Sequence, residues 1–175
     1  FFSMELHVWG DALKGIGVMP SKGFPMICSW DVGPVNLCVT FLQRIVTKTG
    51  SFWLVVDVCS FVGTYTPYHK AIPIILSRMD YWDQVSGTPL RYTHVSDESA
   101  FTTFRTDGSY DSAEIERLGK GRIRLRACPK GRDSVRERIT MVIGMLLDKE
   151  LFVSATCDPV IQMFLNISAK NEKPG

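Results

Sequence analysis

Three runs, Met26-Ile-Cys-Ser-Trp-Asp-Val32, Leu37-Cys-Val-Thr-Phe-Leu-Gln-Arg-Ile-Val46 and Phe52-Trp-Leu-Val-Val-Asp-Val-Cys-Ser-Phe61, decide the fold. Each is short, apolar and rich in β-branched or aromatic residues, the composition that packs well on a pleated surface. The breakers Gly33-Pro34 and Lys48-Thr49-Gly50-Ser51 separate them. Connections this short join antiparallel neighbours, because a parallel crossover needs a dozen or more residues. The chain is therefore predicted to open its domain with a three-stranded antiparallel meander.

Downstream the period changes. Ile72, Ile75, Leu76, Met79 and Trp82 recur at helical spacing and predict a helix over about Pro67–Val85, with Pro73 arguing for a late start or a kink. Leu90–Val95 reads as a fourth strand and residues 105–111 as a polar loop. Ile123, Leu125 and Ala127 alternate with Arg122, Arg124 and Arg126, the period-2 signature of a half-exposed strand. A helix is expected over about Asp133–Leu147, with Val135, Ile139, Val142, Ile143 and Leu146 on one face. Leu151–Ser154 reads as a short strand, and Asp158-Pro159 opens a last helix to about Ile167. Upstream, Gly10, Gly15, Gly17, Pro20 and Gly23 interrupt any period, so residues 1–23 read as a linker or irregular opening segment. The order is α/β, a mixed sheet of about five strands flanked by helices, without the strict alternation of a doubly wound sheet.

The 175 residues, 45% hydrophobic and 22% charged, suit one domain with its own core and exclude a disordered or low-complexity chain. The longest apolar runs, such as Phe52–Val56 and Met141–Leu147, fall far short of the roughly 18 residues of a membrane span. No secretory pattern opens the chain, and position 1 is Phe rather than Met, as expected of a piece excised from a longer protein. Five cysteines, an odd number without a CxxC pair, point to a reducing compartment rather than a disulfide framework. The formal charge of +2 hides a local concentration. Lys120, Arg122, Arg124, Arg126, Lys130, Arg132, Arg136 and Arg138 face only Asp133 and Glu137 in their segment. Such a stretch is either a solvated face or a docking site for an anionic partner.

Two carboxylates stand out chemically. Asp31 ends the first apolar strand, where an aspartate either caps the Gly33-Pro34 turn or meets a cation. Asp97 follows the fourth strand, 66 residues later, beside Glu98 and Ser99, where it can serve as a helix cap. If the first and fourth strands are neighbours, both carboxylates emerge at one sheet edge and can share a hard divalent cation. Asp57, inside the third run, reads as structural, hydrogen-bonded across the sheet. No Walker A sequence occurs, so no ATPase is encoded in these residues, and neither a GxSxG nor an HExxH pattern appears.

Pro25-Met-Ile-Cys-Ser-Trp-Asp-Val-Gly33, then Cys38-Val39, resembles the opening of the C-terminal nuclease domain of tailed-bacteriophage terminase large subunits. Val95-Ser-Asp-Glu-Ser-Ala100 resembles that family's second acidic motif. Asp133-Ser-Val-Arg-Glu-Arg-Ile139 with Leu147 and Leu151-Phe-Val-Ser154 resembles the helix and fifth strand that follow. The resemblance spans most of residues 18–167 and implies an RNase H-like nuclease domain over 24–175. It also implies two-metal cleavage of concatemeric double-stranded DNA during genome packaging. Asp31 and Asp97 would then be the catalytic metal ligands for Mg²⁺ or Mn²⁺, with Asn36 and Glu98 as weaker candidates.

The third acid of the family lies on a helix beyond the segment matching Asp158–Ile167, so it is expected past Gly175 and the domain is expected to be truncated. Arg122, Arg124, Arg126, Lys130, Arg132 and Arg136 would contact DNA phosphates, giving salt-dependent and sequence-neutral affinity. The implied partners are double-stranded DNA and, within the full terminase, the portal protein and the small terminase subunit, in the host cytoplasm. Two other readings fit the residues: a non-catalytic module docking on DNA or the portal, and another RNase H-like nuclease of the resolvase or transposase type.

Overall fold

A computed structural model describes residues 2–9, 20–33, 36–61, 63, 65–102, 108–128 and 134–171. A helical turn α1 (Met4–His7) and a two-residue strand β1 (Val8–Trp9) come first. The meander follows as β2 (Met26–Asp31), β3 (Cys38–Val46) and β4 (Ser51–Ser60), then α2 (Tyr68–Ser86) and β5 (Tyr92–Asp97). A turn of helix α3 (Ser99–Thr102), α4 (Asp111–Leu118), β6 (Leu125–Cys128), α5 (Ser134–Leu147), β7 (Leu151–Ser154) and α6 (Asp158–Asn171) complete the chain. The order is α/β, with helices flanking a mixed sheet.

Seven strands, rather than about five, form that sheet in the order β1-β7-β4-β3-β2-β5-β6. The predicted meander is present: β2 pairs antiparallel with β3, and β3 with β4. The strands outside it are added parallel to their neighbours, β5 to β2, β6 to β5, β7 to β4 and β1 to β7. β7 thus joins the far side of the meander, not the side that carries β5. A bulge at Phe41/Leu42 lets Val56 and Asp57 both turn toward the α2 side of β4.

The helices cover the sheet unevenly. Ala71, Ile72, Ile75, Met79 and Trp82 of α2 and Ile115 of α4 pack on Met26, Cys28, Trp30, Val39 and Phe41, all on one face. The opposite face is covered at the β4–β7–β1 end, where Leu146 of α5 and Val160 and Ile161 of α6 pack on Val55 and Val153. Phe2 joins this second core, and His7 ties the first residues to α5 through its Nε2 and the Leu146 carbonyl (2.9 Å). Among the described residues no helix core covers that face over β2, β5 and β6: Ser29, Asp31 and Arg126 are exposed, and Thr93, Val95 and Asp97 half-buried.

Several local details depart from expectation. α2 starts early, with Pro67 as its N-cap residue, and continues unbroken past Pro73. Asp57 is structural but bonds the helix rather than a neighbouring strand. Its carboxylate accepts Trp82 Nε1–H (2.9 Å), pairs with Arg78 Nε (2.8 Å) and accepts the Val58 amide (2.8 Å). Ile139 of α5 is 55% exposed, because the first turns of that helix stand clear of the second core.

Gly119 closes α4 in an ordinary helical conformation, so its requirement is steric. A Cβ there would lie 2.7 Å from Ile123 Cβ and 3.1 Å from the Ile115 carbonyl oxygen. Gly119→Ala should therefore destabilise the domain by about 1–3 kcal/mol through overpacking, read as a lower midpoint in urea unfolding. An unchanged midpoint would mean that the α4–β6 turn opens without cost.

Candidate functional site

β2 and β5 are adjacent and parallel, in a register that pairs Met26 with Tyr92, Cys28 with His94 and Trp30 with Ser96. The next position on each strand is Asp31 and Asp97. Side chains alternate along a strand, so both carboxylates fall on the face opposite Trp30 and Ser96, the open one. The row continues outward. Asp31 pairs with Cys38 on β3, and Asp97 with Cys128 on β6. Asp31 is exposed and Asp97 half-buried.

On the covered face, directly behind this row, a polar lock fixes the register. Trp30 Nε1–H donates to His94 Nδ1 (3.1 Å), and Ser96 Oγ donates to the Trp30 carbonyl (3.2 Å). With Nδ1 accepting, the neutral ring carries its proton on Nε2, which is buried and makes no hydrogen bond of good geometry among the described residues, with only the Arg122 carbonyl close by. Burial pushes the His94 pKa down to about 4; the Arg122 backbone carbonyl pulls it up slightly and the Arg122 charge lowers it.

Asp97 also caps the turn after its strand. Its Oδ1 accepts the Ser99 amide (3.0 Å) and the Ser99 hydroxyl. The cap and the site are therefore one carboxylate. Burial raises the Cys38 thiol above its usual range, a Thr40 hydrogen bond opposes this and the Asp31 charge reinforces it. A thiol held protonated in this way is a poor metal ligand, since the thiolate is the ligating form. A hard cation takes oxygen ligands, and two carboxylates on neighbouring strands are the oxygen donors the structure places on this face. Among the described residues no group of three or more His, Cys, Asp and Glu stands close enough to hold a metal.

The remaining candidates scatter. Asn36 is exposed and its Oδ1 accepts the Gly63 amide (3.3 Å), an engagement with the loop after β4. Glu98 is exposed and stands between Asp97 and the start of α3, its backbone carbonyl accepting the Thr102 hydroxyl (3.1 Å). Arg122 is committed to Asp80 and Asp83 of α2 (3.2 Å to Asp83). Arg124 and Arg126 are exposed. Arg126 pairs with Val95, two positions before Asp97, which puts it on the face of the two acids. Arg136 is exposed on α5, while Lys130 and Arg132 lie outside the described residues. The Ser99 contact and the Trp30–His94 lock were not anticipated from sequence. A Ser two residues after an Asp is a recognisable capping pattern, whereas the tryptophan–histidine bond has no sequence signal.

No protein-family model matches the chain, and no curated protein matches it significantly in sequence. No helix among the described residues is long and apolar enough to cross a membrane.

The His94 environment sets a pH dependence. An unfolded histidine takes up its proton near pH 6.5, whereas the folded one resists until about 4. Stability is therefore full above 6.5 and falls as pH drops through the interval to 4, by about 3 kcal/mol. His94→Asn, which keeps an acceptor for the Trp30 indole, should flatten that interval in urea titrations at successive pH values. Parallel pH profiles for the two proteins would show that His94 does not titrate as its burial requires.

Proposed function

We propose that this chain is the RNase H-like nuclease domain of a viral genome-packaging terminase, a divalent-metal-dependent endodeoxyribonuclease acting on double-stranded DNA. One observation carries the reading: Asp31 and Asp97 end adjacent parallel strands and fall on the same face of the sheet. The meander followed by a fourth strand returning beside the first supports the RNase H-like assignment. Mg²⁺ or Mn²⁺ bound there would activate a water and stabilise the leaving oxygen of a phosphodiester.

The chain's own residues have distinct parts in this mechanism. Asp31 and Asp97 would hold the cation, from two strands whose register the Trp30–His94 lock maintains. Arg126, on the same face, meets a backbone phosphate, with Arg124 beside it. Arg122, already held by two aspartates, contributes little. No base-reading element is required for cleavage without sequence preference.

The non-catalytic docking module is the second reading, favoured by the lack of a third ligand among the described residues. Plasmid cleavage in Mn²⁺ separates the two. The chain, a version continued past Gly175 and Asp31→Asn forms of both are compared on supercoiled DNA. Nicking by either parent that is lost with Asp31→Asn is the expected result. Intact plasmid throughout, with salt-dependent DNA binding weakened by Arg126→Ala, would replace the nuclease with the docking module.

A further inference from the structure

We propose that the outer edge of β6 takes up an extended, acidic segment of a partner protein as a further strand of the sheet. The inference stands apart from the nuclease reading. β6 ends the sheet, and among the described residues no strand pairs with its outer side. The Leu125 amide donates to the Glu116 carboxylate of α4 (2.9 Å), so it faces away from β5. Backbone groups alternate sides along a strand, which turns the Leu125 carbonyl and the amide and carbonyl of Ala127 outward as well. Such a row selects its partner by chemistry. A phosphate can accept from the Ala127 amide but has nothing to donate to the two carbonyls. Another peptide backbone satisfies all three groups.

The side chains set the charge of that partner. Arg124 and Arg126 stand two positions apart, on one face, and both are exposed. Acidic residues at alternate positions of the incoming strand would lie opposite them, the favourable cross-strand pairing. The chain's own nearby carboxylates are engaged elsewhere, Asp97 with Ser99 and Glu116 with the Leu125 amide. Arginines on an edge strand also discourage indiscriminate pairing, which narrows the partner to one that brings carboxylates. A second copy does not meet this requirement. β6 against β6 would set arginine against arginine, and the other sheet edge, Val8–Trp9 of β1, carries no acid.

The probe is a short fluorescein-labelled peptide alternating glutamate and valine, with a glutamine version as its control. Fluorescence anisotropy follows its binding to the whole chain, to Ala127→Pro and to the double variant Arg124→Glu, Arg126→Glu. Ala127→Pro removes the outward amide, at an edge position where a strand tolerates proline. Melting without peptide checks each fold. The glutamate peptide is expected to bind and to shift backbone amide signals of residues 124–128 in the ¹⁵N-labelled chain. Affinity should fall about tenfold with the glutamine peptide, with Ala127→Pro and with the double variant. Should Ala127→Pro melt lower, the wild-type chain and a peptide N-methylated on alternate amides make the same test. Binding indifferent to both backbone changes is attraction of charge alone and overturns strand addition. No binding to the glutamate peptide overturns the proposal, and a duplex oligonucleotide that binds where the peptide does not assigns the two arginines to DNA.

Discussion

The register between β2 and β5 is the constraint on which the rest depends. It pairs Trp30 with Ser96, and a slip of one residue on either strand would exchange the two faces of that strand. Met26, Cys28 and Trp30, all nearly fully buried, would move to the open face, and Asp31 would enter the first core. Burial of the three apolar side chains and the cost of burying Asp31 therefore oppose the slip together. The Trp30–His94 and Ser96–Trp30 hydrogen bonds add directional terms on the covered face. The histidine is expensive in this role, since its buried Nε2 makes no hydrogen bond of good geometry among the described residues. What it provides is an acceptor for the only polar atom of a core tryptophan.

Asp31 and Asp57 show how the same local pattern leads to opposite fates. Each follows apolar strand residues and precedes a valine. Asp57 lies where α2 covers the sheet, so the fold must satisfy it, and Arg78, Trp82 and the Val58 amide do so. Asp31 lies where no described helix covers the sheet, and it remains in water. The difference comes from the offset of the two helical layers, α2 and α4 over the middle of one face and α5 and α6 over the far end of the other. A carboxylate exposed at a strand end is available for chemistry; one buried against an arginine is already committed.

The same distinction explains which parts of the fold could be read from sequence. The meander was legible because long apolar runs broken by Gly and Pro leave few alternatives, and the adjacency of the first and fourth strands followed as a conditional that the topology meets. α4 was not legible, since Asp111–Leu118 offers only Ile115 and Leu118 as apolar periodic residues and its stability comes from tertiary burial of Ile115. β1 was not legible either: two residues have no period, and Val8–Trp9 become a strand only through pairing with Val153–Ser154. Ile139 matched the core stripe of its helix, but the sheet beneath does not extend far enough to cover it. Of the site, the two acids were readable, whereas their outer partners were less so, because contacts between Trp30 and His94 span 64 residues.

Charge is likewise allocated by the fold and only counted by the sequence. The basic segment from Lys120 to Arg138 looks uniform in composition, but its members meet different fates. Arg122 falls before β6 and folds back on α2, where Asp80 and Asp83 neutralise it and where Asp83 also accepts the Leu90 amide (2.8 Å) and the Tyr92 hydroxyl (3.0 Å). That knot joins α2, the start of β5 and the approach to β6, so Arg122 serves the architecture. Arg126 lies within β6, where alternation sends it to the face of Asp31 and Asp97. An arginine two rows from a pair of carboxylates is too far along the strand to neutralise them closely, yet near enough to engage an anion held against them. Of the two arginines compared, only Arg126 keeps its charge exposed on the face that carries the acids.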